Sequence, residues 1–157
     1  MGCVMAEARH LQEIRPILVS LAIHQRIHFN NESDRQKRVV LAAITEMPIG
    51  ISLFVCNRGH GITEFSARAA CLARIVEVVQ AAGVSRLVIE SRADDREDER
   101  VLARARNSNQ VLVFEHRSGK VEPMLWVADA VTWALGAGPK WRRLVSDANV
   151  AVVVVRP

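Results

Sequence analysis

Apolar positions along this chain switch between a helical and an extended rhythm. In 6–24, Leu11, Ile14, Leu18 and Leu21 fall at helical spacing, and Pro16 predicts a kink or a late start. In 30–47 an Asn- and Ser-containing opening precedes Val40, Leu41 and Ile44 on one face, before Pro48 and Gly50 stop the helix. The run ISLFVCN (51–57) reads as a buried strand, and RGHG (58–61) as the turn after it. The clearest helix spans 63–83, with Thr63 placed to cap it and Gly83 to end it. A second strand follows at 85–91. The next helix, 94–107, has acids first and arginines last, as the helix dipole favours. A third strand covers 110–116, and a helix opened by Pro123 covers 123–138. The β-branched run 148–157 closes the chain as a strand. Strands alternating with helices predict one α/β domain over 1–157, its parallel strands joined by helical crossovers.

Composition narrows the class of protein rather than the function. At 157 residues, half of them apolar, the chain is long enough to bury its own core. Its three cysteines are odd in number and lack a C-x-x-C spacing, so neither a disulfide framework nor a zinc site is expected, and a cytoplasmic location is. The opening MGCVMAEARH lacks the pattern of a signal peptide. The longest apolar run, 123–138, contains Asp129 and falls short of the ~20 residues that cross a bilayer, so no membrane is expected. A net charge of +4 permits a polyanionic partner.

That single charge at Asp129 raises the chemical question. Glu122, Trp126, Asp129 and Trp133 lie along one helical stripe, and two tryptophans predict that the stripe is partly buried. A buried carboxylate must pair with a cation, bind metal or take up a proton. The structural alternative is an arginine partner such as Arg142 or Arg143. The functional alternative draws in the strand-end acids of LVIE (Glu90) and VFE (Glu115), because α/β sites form beyond the carboxyl ends of strands. Converging carboxylates hold Mg²⁺ or Mn²⁺, and such ions support phosphodiester hydrolysis.

Three segments, RIHFNNES (26–33), CLARIVEVVQAAGVSRLVIESR (71–92) and VFEHRSGKVEPMLWVADAVTWALGAG (113–138), together resemble a group of bacterial and phage proteins with a ribonuclease H-like fold. That group has an Asp-Glu-Ser at the end of its first strand, a later strand ending in an acid, and a closing helix with an Ala-Asp pair. The resemblance runs from about His24 to Leu144 and implies a mixed sheet with flanking helices and metal-dependent nuclease chemistry. It puts Glu90 and Asp129 in the places of ligands to Mg²⁺ or Mn²⁺, with Glu122 beside them and Asp98 as an outer contact. His28 and Glu32 would supply a proton relay or a further ligand; the alternative for His28 is a histidine that fixes a loop. One departure stands out. The first strand and its aspartate are missing, since MGCVM matches the end of a second strand and the first aspartate is Asp34. The final VAVVVV run, or a second subunit in a homo-oligomer, is then expected to complete the sheet; a start shortened at the N-terminus is the other explanation.

Arginines and lysines supply the remaining candidates. Arg92, at the head of the 92–106 segment, and Lys140, Arg142 and Arg143 in GPKWRRL are placed to neutralise phosphates, with Trp141 able to stack a base or to complete the core. The 92–106 helix is otherwise a solvated amphipathic helix with local ion pairs. RGHG lacks the lysine and the length of a phosphate loop. Two functions remain open: a metal-dependent nuclease, or a non-catalytic module that keeps the scaffold and binds nucleic acid or protein.

Overall fold

Every helical and extended run of the sequence takes the expected form, and the differences lie in how the strands pair. The computed structural model describes residues 1–57, 59–148 and 150–157; Arg58 of the RGHG turn and Asn149 of the final run lie outside the described residues. The chain forms two compact units. Residues 2–53 and 119–151 make a flanking unit, and residues 54–118, with Met1 and 152–157, make a middle unit.

In the flanking unit, β1 (Gly2–Ala6) runs antiparallel to the start of β2 (Ile49–Cys56), from Gly2 opposite Leu53 to Ala6 opposite Ile49. Crossovers between parallel strands were the sequence expectation here. Two helices rather than one link these strands, α1 (Ala8–Leu21) and α2 (Asp34–Thr45), so the chain reverses once more before it pairs. Pro16 is accommodated inside α1. The Ser33 hydroxyl caps α2 by accepting the Gln36 amide at 3.2 Å. The core gathers Ile14 and Leu18 of α1, Val40, Leu41 and Ile44 of α2, and the buried face of α5 (Met124–Gly136). That face consists of Trp126, Val127, Ala130, Val131 and Ala134. β1 lies so close to α5 that a Cβ on Gly2 would come within 2.7 Å of the Ala128 carbonyl oxygen. After Gly138, at a φ of 106°, the short α6 (Pro139–Arg142) buries Trp141 in the same core.

The middle unit is built on α3 (Glu64–Ala81), capped by the Thr63 hydroxyl, which buries Cys71, Leu72, Ile75, Val76 and Val79. Here the crossover rule holds: β3 (Arg86–Glu90), α4 (Asp95–Ala105) and β4 (Val113–Arg117) form a parallel pair, with Glu90 opposite Arg117. Gln80 ties the α4–β4 connection to α3, accepting the Asn107 amide at 2.9 Å and donating to the Asn107 carbonyl at 3.1 Å. The C-terminal run forms β5 (Ala151–Val155), and the strand order is β1-β2-β5. The protein is thus α/β, with antiparallel and parallel pairing and flanking helices. Among the described residues, no helix is long and apolar enough to cross a membrane. Cys3, Cys56 and Cys71 are all free, and burial pushes the Cys3 thiol up to about 11, which keeps it protonated and unreactive.

Candidate functional site

The connection between α1 and α2 alternates inward and outward residues. Ile27 and Phe29 are buried in the core, so Arg26, His28 and Asn30 are turned the other way. Phe29 meets Trp133 of α5 edge to face at 5.3 Å, and Trp133 donates its indole N–H to the Asn30 side chain at 3.1 Å. Buried Lys37 lies over the Trp133 ring, 4.5 Å from its centre, and its ammonium donates to the Asn30 carbonyl at 3.2 Å. Gln36 donates to the last carbonyl of α1, Leu21, at 2.6 Å. Apolar anchors and these hydrogen bonds hold the connection on a rigid base.

A second loop is fixed just as firmly. Trp126 donates its indole N–H to the Gly119 carbonyl. Glu122, with 2% of its surface exposed, accepts a two-pronged bond from Arg15 of α1, at 2.7 and 3.1 Å. One of its oxygens also accepts the Met124 amide at 3.1 Å, at the start of α5. Lys120, between these anchors, joins the first loop in lining a cavity of about 430 Å³. His24, Arg26, His28 and Glu32 form its ionisable walls, and Gln25 and Asn31 add amides. Arg26 contacts His28 through two nitrogens, one pair being Nη2 and Nδ1 at 3.1 Å.

Asp129 belongs to the same electrostatic neighbourhood. The surrounding chain desolvates its carboxyl and raises its pKa, while the charges of His28 and Arg26 pull it the other way. Yet Asp129 is exposed, and among the described residues no arginine or other donor hydrogen-bonds it. The stripe through Trp126 and Trp133 was expected to bury it. The buried positions of α5 instead centre on Val127, Ala130 and Ala134, which turns Asp129 out of the core.

Compared with known proteins, the chain matches no family model, no curated protein and no solved structure. Its chemistry has to be read from the two units themselves.

The other expected site residues are dispersed. Glu90 is exposed at the end of β3 in the middle unit, and Arg92 just beyond it is exposed as well. Glu115 does not end its strand: β4 runs on to Arg117, and Glu115 accepts from Arg86 at 2.7 Å and lies 3.2 Å from the Arg117 guanidinium. Arg86 and then Arg117 hold its carboxyl below the usual range. Asp98 is buried and takes a two-pronged bond from Arg68 of α3, one arm at 2.9 Å. His116 of β4 points into the same cluster; its buried Nε2 has no hydrogen-bond partner among the described residues and stands 3.7 Å from Asp98 and 3.9 Å from Asp95. Asp95 accepts from the Ser91 hydroxyl at 2.6 Å and the Arg92 amide at 2.7 Å, which lower its pKa.

Of the GPKWRRL basic residues, Lys140 pairs with Asp34 at 3.1 Å and Arg142 donates to the Leu135 carbonyl at 3.1 Å, while Arg143 is exposed. Trp141 serves the core and is not a stacking platform, with 7% of its surface exposed. Among the described residues, no group of three or more His, Cys, Asp or Glu side chains is arranged to hold a metal ion. Of the sequence candidates, then, the flanking unit brings His28 and Glu32 to one cavity and Asp129 within electrostatic reach of His28. Sequence reasoning missed His24, Arg26 and Lys120. The alternation of Ile27 and Phe29 with charged or imidazole neighbours was the available signal for the first two.

Proposed function

We propose that this protein binds nucleic acid through the flanking unit, with a phosphodiester strand seated at the His24–Glu32 loop. One observation carries the reading: a guanidinium (Arg26), an ammonium (Lys120) and two imidazoles line one cavity together with amides that suit base edges. Arginine and lysine neutralise phosphate, and amide and carboxylate groups match base and sugar donors. The net charge of +4 favours the encounter. Fluorescence anisotropy with a labelled single-stranded oligonucleotide in EDTA tests it. Affinity should fall with salt, and Arg26→Ala or Lys120→Ala should each reduce the slope of log K against log salt by about 0.7, one contact on a single strand. Salt-independent affinity, or slopes untouched by both variants, would refute the reading.

A second reading, a ribonuclease H-like nuclease with Mg²⁺ or Mn²⁺ at Asp129, draws support from the exposed Asp129 carboxyl, which no arginine hydrogen-bonds among the described residues. Glu122 does not help it, since Arg15 and the Met124 amide take up its oxygens. If an ion binds there, Mg²⁺ or Mn²⁺ raises the melting temperature of the wild type but not of Asp129→Asn. Equal shifts in both proteins exclude Asp129 as a ligand.

A further inference from the structure

We propose that the same cavity cleaves RNA by acid–base chemistry without a metal ion, Glu32 acting as base and His24 as acid. This rests on the reading that the cavity takes a nucleic acid strand, and it narrows the substrate to RNA.

RNA carries its own nucleophile, the 2′-hydroxyl, next to the bond to be broken. Cleavage therefore needs three things from a protein: a group that removes the 2′-hydroxyl proton, a group that protonates the departing 5′-oxygen, and positive charge for the phosphoryl oxygens. The cavity lining contains each type. Arg26 and Lys120 supply the charge, and Glu32, His24 and His28 are the proton carriers.

The contact between Arg26 and His28 divides the labour. A guanidinium offers only donors, so a ring nitrogen that bonds to it must present a lone pair. His28 is thus engaged by Arg26 and holds that guanidinium in place, which makes it a positioning residue. His24 and Glu32 make no side-chain hydrogen bond or ion pair among the described residues, and both line the cavity. One is acceptor-only when ionised and the other gives up a proton when charged, so each suits one side of the reaction.

The step balances with no co-reactant. Glu32 takes the proton as the O2′–H bond breaks and the O2′–P bond forms. The P–O5′ bond breaks, and the His24 imidazolium gives its proton to O5′. The products are a 2′,3′-cyclic phosphate and a 5′-hydroxyl. Water then carries the proton from Glu32 back to His24 and resets the pair.

The test uses the whole chain, a labelled single-stranded RNA in excess EDTA, and the same strand with 2′-deoxyribose throughout. The expected result is cleavage of the RNA alone, with cyclic phosphate ends identified by mass spectrometry. Glu32→Gln and His24→Gln should each lower kcat by about 100-fold or more. His28→Gln, acting through Arg26, should act on KM more than on kcat. Far-UV circular dichroism confirms that each variant is folded, and since His24 is exposed its replacement leaves the core untouched. If the 2′-deoxy strand binds but RNA stays intact in EDTA, the cleavage inference fails and the binding reading stands. If neither strand binds, both fail. Cleavage abolished by EDTA, or giving 3′-hydroxyl and 5′-phosphate ends, overturns the inference in favour of a metal nuclease.

Discussion

Each unit buries one arginine–carboxylate pair, Arg68–Asp98 and Arg15–Glu122, but the two units place their histidines differently. In the middle unit, Arg68 spends its guanidinium on the buried carboxylate of Asp98, and His116 stands 3.7 Å from Asp98 and 3.9 Å from Asp95. In the flanking unit, His24, His28, Glu32 and Lys120 face a cavity of about 430 Å³, and Asp129 stands exposed nearby. The same residue types therefore have different uses. The buried Arg68–Asp98 pair fixes α3 to α4, whereas the ionisable groups of the His24–Glu32 loop and Lys120 line a cavity. A lone acid or histidine in a sequence says nothing about function until its partner is known.

The contrast is broken most forcefully from the middle unit. Arg68→Met strands a carboxylate of which 6% of the side-chain surface is exposed, and should destabilise the protein by about 3 kcal/mol. Urea unfolding should show a lower midpoint at unchanged m-value. An effect under about 1 kcal/mol would mean that the cluster is open to water. Arg15→Met makes the parallel test in the flanking unit. It should cost about 2 kcal/mol, less than Arg68→Met, because the Met124 amide still bonds Glu122 and Arg15 is the more exposed of the two arginines. Gly2→Ala should cost about 1–2 kcal/mol by forcing β1 away from α5, while Gly59→Ala, whose Cβ would meet nothing within 4 Å, controls for the loss of a glycine.

Titration sharpens the comparison. Asp95 and Glu115 have lowered pKa values, so their stabilisation is present above the ordinary carboxylate range and is lost as pH falls through the lowered value. Asp129 is raised, so the folded protein binds its proton more tightly than the unfolded chain does. Its contribution is favourable at acid pH and is lost as pH rises through the raised value. Carboxyl NMR should place Asp95 and Glu115 below, and Asp129 above, the values of model peptides. Asp129→Asn gives the smallest effect, a gain within about 0.5 kcal/mol at neutral pH that vanishes in acid. A loss of stability at neutral pH would show that the ionised carboxylate is favourably held.

Elements were legible in the sequence because local signals agree with their surroundings. Thr63 and Ser33 cap the helices they precede, and the acids of α4 do open it. Strand pairing was less legible. Only the helix count between β1 and β2 distinguishes an antiparallel from a parallel link, and Glu115 looks terminal until the register carries β4 to Arg117. The site was half visible. His28, Glu32 and Asp129 could be singled out one by one, but Arg15 lies 107 residues from Glu122 along the chain, and no local pattern announces such a partner. Lys120 was hidden for the same reason: its place beside the loop depends on Gly119, Glu122 and their distant or downstream partners.

The aromatic ladder under the cavity gives the protein an optical gauge. Trp133 hydrogen-bonds Asn30, meets Phe29 edge to face and carries the Lys37 ammonium over its ring. Anything that displaces the His24–Glu32 loop must disturb that indole, so a change in tryptophan emission, lost on Trp133→Phe, reads occupancy without a label.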